Sequence, residues 1–258
     1  MQNVSHKEAQ KSQELRRYRF FKVHRFRVPI LCLLCLFLSQ VCFANSRPGD
    51  TFPLIHSWRF HLGDVPNAKD AQFNDSRWRQ LNLPHDWSIE GEFSQKAPAG
   101  TGGGALPGGI GWYRKTFTID AALKGKLTFI QFDGVYRNSE VWINGHYLGK
   151  RPYGYSSFQY ELTPHLVYGE KPNIIAVKVD NSQQPNSRWY SGSGIYRNVW
   201  LTLVDPVHVE HWGTYVTTPE VSEQSASVVV KTSPSEIWKT WCAIATIPAS
   251  LSGALATR

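Results

Sequence analysis

Two pairs of residues combine a planar charged group with an aromatic ring: Asp86 beside Trp87, and Arg188 beside Trp189. A carboxylate or guanidinium can hold two hydrogen bonds side by side, and an indole offers a flat apolar face. Each pair therefore suits a ligand with a polar edge and an apolar side. Packing explains the first pair equally well, with Trp87 plugging the edge of a fold and Asp86 capping a turn. The nine histidines, His56, His61, His85 and His165 among them, show no metal-ligand spacing, so no metal or other cofactor is expected. Gly100, Gly102, Gly103, Gly104, Gly108, Gly109 and Gly111 enrich a stretch that lacks strand periodicity. A phosphate cradle would need a strand before such glycines and a helix start after them; neither is present, and nucleotide binding is rejected. An irregular loop of this length inside a compact domain points to function or disorder.

The elements that must position these residues read as strands. Short runs of alternating or β-branched apolar residues fall at 58–62, 111–119, 126–132, 139–143, 157–161, 173–179 and 199–204, separated by Gly, Pro, Asn and Asp. Asn144-Gly145 sits between Glu140-Val141-Trp142-Ile143 and His146-Tyr147-Leu148-Gly149, a signal for a two-residue type I′ hairpin. Phe132, Val141, Trp142 and Ile143 are expected in the core, and long amphipathic helical patterns are absent. The spacing predicts an all-β chain whose main part, 45–205, is a two-sheet jelly-roll sandwich. Beyond Asp205-Pro206, runs at 208–215 and 225–231 read as the start of a second β-domain, assigned to 206–232. The 53 residues from Pro206 onward are too few for a sandwich of about 100. From about Ser233 neither period is clear, and 233–258 reads as an atypical tail, either frame-shifted or a natural short end.

The N-terminus has a separate character. Eight basic side chains stand against Glu8 and Glu14 in the first 27 residues, followed by an uncharged, mostly apolar run over 28–43. Its core at 30–38 is short of the roughly 20 residues that a spanning helix needs, and Cys42-Phe43-Ala44 suits cleavage after Ala44. Residues 1–44 are expected to be an export signal, or alternatively an uncleaved anchor, placing the rest in the periplasm or outside the cell. That segment carries +6 of the formal +8, so the high pI does not argue for a nucleic-acid partner. It also contains Cys32, Cys35 and Cys42, leaving Cys242 alone and no disulfide framework.

Five motifs, in order, carry a resemblance: Leu83-Pro84-His85-Asp86-Trp87, Gly111-Trp112-Tyr113-Arg114-Lys115-Thr116-Phe117, Phe132-Asp133-Gly134-Val135, Val141-Trp142-Ile143-Asn144-Gly145, and Ser187 through Leu201 with its Ser191-Gly192-Ser193-Gly194-Ile195-Tyr196-Arg197 centre. Over roughly 52–204 the chain resembles the N-terminal sugar-binding domain of glycoside hydrolase family 2, most of all its exported β-galactosidase-type members. The resemblance implies a jelly roll followed by an immunoglobulin-like domain, here incomplete, and then a TIM barrel bearing two catalytic glutamates. Retaining hydrolysis needs two carboxyl groups roughly 5 Å apart, and no Glu of this chain matches the family's catalytic motifs. No catalytic residue is therefore assigned, and the chain alone is expected to be inactive.

The resemblance further implies that the first domain lines the sugar subsite at the barrel mouth. Asp86, Trp87, Arg188 and Trp189 are the candidate contacts to a β-galactoside or related β-glycoside. Arg188 stands near where the best-known members carry an acidic residue, a departure from the family pattern. Three readings follow: the recognition part of a β-glycosidase, a free-standing carbohydrate-binding module, and a non-sugar adhesion sandwich. The broken second domain favours the first, and the ordered motifs count against the third.

Overall fold

The computed structural model describes residues 49–234 and 241–248. The expected export signal at 1–44 lies outside the described residues, as do 235–240 and 249–258 of the expected tail.

Among the described residues, short apolar runs bounded by turn residues become thirteen strands joined by loops and single 3-10 turns: β1 (Asp50–Pro53), β2 (Trp58–Leu62), β3 (Arg79–Leu81), β4 (Gly109–Ile119), β5 (Leu127–Phe132), β6 (Ser139–Ile143), β7 (His146–Arg151), β8 (Phe158–Glu161), β9 (Gly169–Asn181), β10 (Val199–Val204), β11 (Val209–Val221), β12 (Ser225–Pro234) and β13 (Trp241–Pro248). One sheet has the order β3-β2-β4-β9-β6-β7 and faces a second of order β1-β10-β5-β8; pairing is antiparallel throughout. The β6–β7 turn is the hairpin that Asn144-Gly145 predicts. Both residues have positive φ, 50° and 85°, as a type I′ turn requires.

Period-two alternation assigns each side chain to a layer. Phe60, Tyr113, Phe117, Val141, Ile143, Ile175 and Val177 face inward from the larger sheet to meet Ile130, Phe132, Phe158, Val199, Leu201 and Leu203 of the smaller one. Trp112, Trp142 and Ala176 alternate to the opposite face, where Ala68, Trp78 and Phe73 cover them as a second apolar cluster. Trp142 is thus buried as expected, but stacked on Trp112 at 5.4 Å outside the inter-sheet core.

Arg114 also points into this outer layer and is 1% exposed. Its Nε donates to Asp75 Oδ2 at 2.8 Å, and its Nη1 donates to the Asp70 carbonyl at 3.1 Å and to the Ala68 carbonyl. A buried guanidinium is tolerable only when its donors are used in this way. Here they anchor the 68–75 segment over the sheet.

Two expectations need adjustment. β3 is too short to produce a readable alternation, and it is recruited by pairing with β2. Trp241–Pro248, where the sequence shows no clear period, is a strand paired with β12 over eight positions, making a third sheet of order β11-β12-β13.

Candidate functional site

The loop between β9 and β10 carries Arg188 and Trp189, and the chain builds its support from several sides. Segment 85–87 runs alongside it: the His85 N–H donates to the Ile195 carbonyl at 2.8 Å, and the Trp87 N–H donates to that of Ser193 at 3.0 Å. On the other side, Tyr136 and Gly194 exchange backbone bonds of 2.9 Å each. Gly194 is required there, since a Cβ would lie 2.4 Å from the Tyr113 hydroxyl and 2.7 Å from the His85 carbonyl. Ser187 Oγ lies 2.7 Å from Ser191 Oγ and donates to the Trp189 carbonyl, which closes the loop tip. Asn186 receives the Tyr136 hydroxyl at 2.9 Å and donates to Asn181 Oδ1 at 2.7 Å.

The result is a cleft of about 720 Å³, with Tyr136, Tyr153, Tyr155, Trp189, Arg137 and Arg188 among its lining residues. Tyr136 packs edge-on against Tyr155 at 5.3 Å, and Tyr155 against Tyr153 at 5.6 Å. The Trp189 indole N–H donates to the Tyr155 hydroxyl at 3.3 Å. Trp189 is 61% exposed, and Tyr153 and Tyr155 are exposed as well. Large aromatics left in water around a concavity of this size make the cleft the candidate binding site. Flat rings beside guanidinium and amide groups are equipped to hold a ligand with an apolar face and a rim of hydroxyls.

Of the four residues expected to contact a ligand, Arg188 and Trp189 line the cleft; Asp86 and Trp87 do not. Asp86 Oδ1 accepts the backbone N–H of Ser88 at 2.9 Å and that of Ser193 at 2.8 Å, while Oδ2 accepts the Tyr190 hydroxyl. Its acceptor positions serve its own chain. Burial, and then the bond to Asp86, raises the Tyr190 pKa and keeps that hydroxyl a donor. Trp87 is 2% exposed, its indole N–H donates to the Gly108 carbonyl at 3.0 Å, and its ring stacks on Phe60 at 5.7 Å. An indole enclosed in the core has no face to offer a ligand, so the packing alternative describes the first pair. Asp86 and Trp87 do, however, support the loop that presents the second pair.

A polar chain runs behind the same segment. Arg79 Nη2 donates to His85 Nε2 at 2.9 Å and to Glu90 Oε2 at 2.7 Å. His85 Nε2 also lies 3.3 Å from Glu90 Oε1, and Nδ1 lies 2.6 Å from the Tyr113 hydroxyl, so the imidazole bridges the Arg79–Glu90 pair and the buried tyrosine. Burial lowers the His85 pKa, outweighing the nearby Glu90 charge. Burial alone would raise that of Glu90, but hydrogen bonding to Arg79 and the charges of His85 and Arg79 leave it lowered. Among the described residues, no group of three or more His, Cys, Asp or Glu could hold a metal ion.

Sequence reasoning missed Tyr136, Arg137, Tyr153 and Tyr155. The available signal was Pro152-Tyr153-Gly154-Tyr155, two aromatics held on a turn between β7 and β8, where core packing has no use for them.

Residues 54–205 match the family described as "Glycosyl hydrolases family 2, sugar binding domain". The chain belongs to glycoside hydrolase family 2. Among its family 2 relatives, it is 61% identical over 187 residues to the β-galactosidase BoGH2A of Bacteroides ovatus, covering 72% of this chain and 22% of that enzyme. A protein named putative β-glucuronidase from Formosa agariphila is 44% identical over 201 residues, covering 78% of this chain and 19% of that one. The crystal structure of a β-glycosidase from Bacteroides vulgatus superposes with a TM-score of 0.70 at 50% identity, covering 72% of this chain and 24% of that one. The sandwich is therefore the family 2 N-terminal jelly roll. The chain spans about a fifth to a quarter of these relatives, in each case over the part that contains the jelly roll.

Proposed function

We propose that this chain supplies the sugar-recognition part of an exported β-glycosidase acting on β-galactosides or related β-glycosides, with the bond-breaking carboxylates lying outside it. The observation that carries this reading is the cleft at Arg188 and Trp189, built on the region that matches the family's sugar-binding domain. The 61% identity to a protein named β-galactosidase supports a galactoside as the first sugar to test. Asp86 and Trp87 act here by holding the 187–193 loop, and Arg188 and Trp189 face the sugar. The β11-β12-β13 sheet is read as the start of an immunoglobulin-like second domain. In a full-length relative, the sandwich packs on a catalytic barrel that closes the open side of the cleft.

The test is turnover of p-nitrophenyl β-D-galactoside by the purified chain. No enzyme-like rate is expected, and binding should be weaker than micromolar, since one wall buries too little of a sugar. Hydrolysis at an enzyme-like rate would overturn the reading. Micromolar binding without hydrolysis would favour a free-standing carbohydrate-binding module, to which the aromatic cleft also lends itself.

A further inference from the structure

The loop that presents Arg188 and Trp189 rests on a segment containing a buried histidine. The His85 N–H donates to the Ile195 carbonyl at 2.8 Å, and its neighbour Asp86 accepts the Ser193 N–H at 2.8 Å. The His85 side chain is only 8% exposed. Facing its ring are Phe60 of β2, edge-on at 4.6 Å, Arg79 of β3 at 2.9 Å, Glu90 at 3.3 Å and the Tyr113 hydroxyl of β4 at 2.6 Å, while Asp86 adds a nearby negative charge. The Tyr113 hydroxyl in turn packs against Gly194, where a Cβ would lie 2.4 Å from it, and Gly194 exchanges backbone bonds of 2.9 Å with Tyr136 in the cleft wall. A continuous series of contacts thus runs from the exposed Arg79–Glu90 pair through His85 and Tyr113 to the base of the loop.

A second proton on this imidazole creates a charge that burial opposes and Arg79 repels. Glu90 and Asp86 offset that cost only in part, so the His85 pKa stays below its ordinary value. Beside the ring lies a groove of about 460 Å³ whose lining includes Phe60, Leu62, Arg79, Trp87 and Glu90. Leu62, Arg79 and Glu90 are exposed, so the groove gives a charged ring a route to water. Turning that way takes the imidazole off the Tyr113 hydroxyl and strains the pairing of 85–87 with 193–195. Resting on the sugar-recognition reading above, we infer that His85 is a pH switch for the cleft: its protonation loosens segment 187–195 and lowers the affinity for saccharide, and the neutral form holds the loop in its binding position. By reciprocity, a bound saccharide disfavours the proton.

The experiment follows hydrogen–deuterium exchange of the full chain from pH 8 to pH 5, corrected for the intrinsic pH dependence of amide exchange, with ligand-observed NMR of methyl β-D-galactoside over the same range. Protection of 187–195 should fall about fivefold in a step below pH 6.5 while β4 and β9 keep theirs, and sugar affinity should fall by a similar factor. His85→Gln should remove both changes. Should H85Q fail to fold, two exposed neighbours serve instead. Arg79→Gln removes the repelling charge and should move the step to higher pH; Glu90→Gln removes the attracting one and should move it lower. Constant protection of 187–195, a loss shared equally by β4 and β9, a step that survives H85Q, or one that R79Q and E90Q leave in place would each overturn the switch. Loosening with sugar affinity unchanged would overturn it as well. No sugar binding at tens of millimolar at pH 8 would instead overturn the sugar-recognition reading, and the exchange profile alone then decides the switch.

Discussion

The Asp86 carboxylate accepts the Ser193 backbone N–H at 2.8 Å, joining residues 107 apart in sequence. The same side chain caps Ser88 and takes the Tyr190 hydroxyl, so one residue fixes the base of the loop that presents Arg188 and Trp189. Asp86→Ala should cost about 1 to 3 kcal/mol, the usual penalty for donors left without acceptors. Asp86→Asn keeps one carbonyl oxygen and should cost less. Thermal melts would check the order of the two. A D86A protein as stable as the parent would show that the staple is idle.

Gly192 is tied to the same carboxylate. It has φ of +72°, and a Cβ would sit 2.6 Å from Asp86 Oδ2. Gly192→Ala should therefore destabilise the chain by about 1 to 2 kcal/mol from backbone strain alone, before the clash is counted. Denaturant unfolding measures this; a gain in stability would refute the geometry.

The two tryptophans adjacent to the charged residues should respond in opposite ways. Trp87→Ala removes a buried ring and should cost about 3 to 5 kcal/mol. Trp189→Ala removes an exposed one and should change stability by no more than about 0.5 kcal/mol while weakening ligand binding at the cleft. Urea melts and sugar titrations of both variants separate the roles.

Acid should weaken the fold in two steps. The folded-state pKa of His85 lies below its ordinary value of 6.5, so below that pH the unfolded chain binds a proton that the folded one resists. Stability is then lost as pH falls from about 6.5. Glu90 has a folded pKa below its ordinary 4.5, so its contribution is present above 4.5 and is lost as pH drops further through the folded value. Melting temperature recorded from pH 8 to pH 3 should show both steps, and His85→Gln should remove the first. A flat profile between pH 7 and pH 5 in the parent would contradict the burial argument.

Both apolar clusters draw all their buried members from residues 54–203. A chain ending at Asp205 keeps these and the Lys126–Asp205 ion pair, so its melting temperature should match that of the full chain. Its solubility should rise, because Trp212, Tyr215 and Val216 on β11 are exposed. A large fall in melting temperature would mean that the third sheet supports the sandwich.

Much of the sandwich was legible because alternation and turn chemistry are local. Val141-Trp142-Ile143 followed by Asn144-Gly145 contains both an inward-outward pattern and the two positive-φ positions of its turn. β3 and β13 were not legible. Three residues cannot display a period, and Trp241–Pro248 becomes a strand through pairing with Ser225–Pro234.

The sequence by itself determined the β class, the hairpin register and the family, since each rests on neighbouring residue types or ordered motifs. It also singled out Arg188 and Trp189, and it left Asp86 and Trp87 balanced between binding and packing. Only the tertiary structure decided that balance, by enclosing Trp87 against Phe60 and committing the Asp86 oxygens to Ser88, Tyr190 and Ser193. It alone brought Tyr136, Tyr155 and Trp189 together from three separate loops. The physical reason is that burial and hydrogen-bond satisfaction depend on partners distant in sequence, which no local pattern encodes.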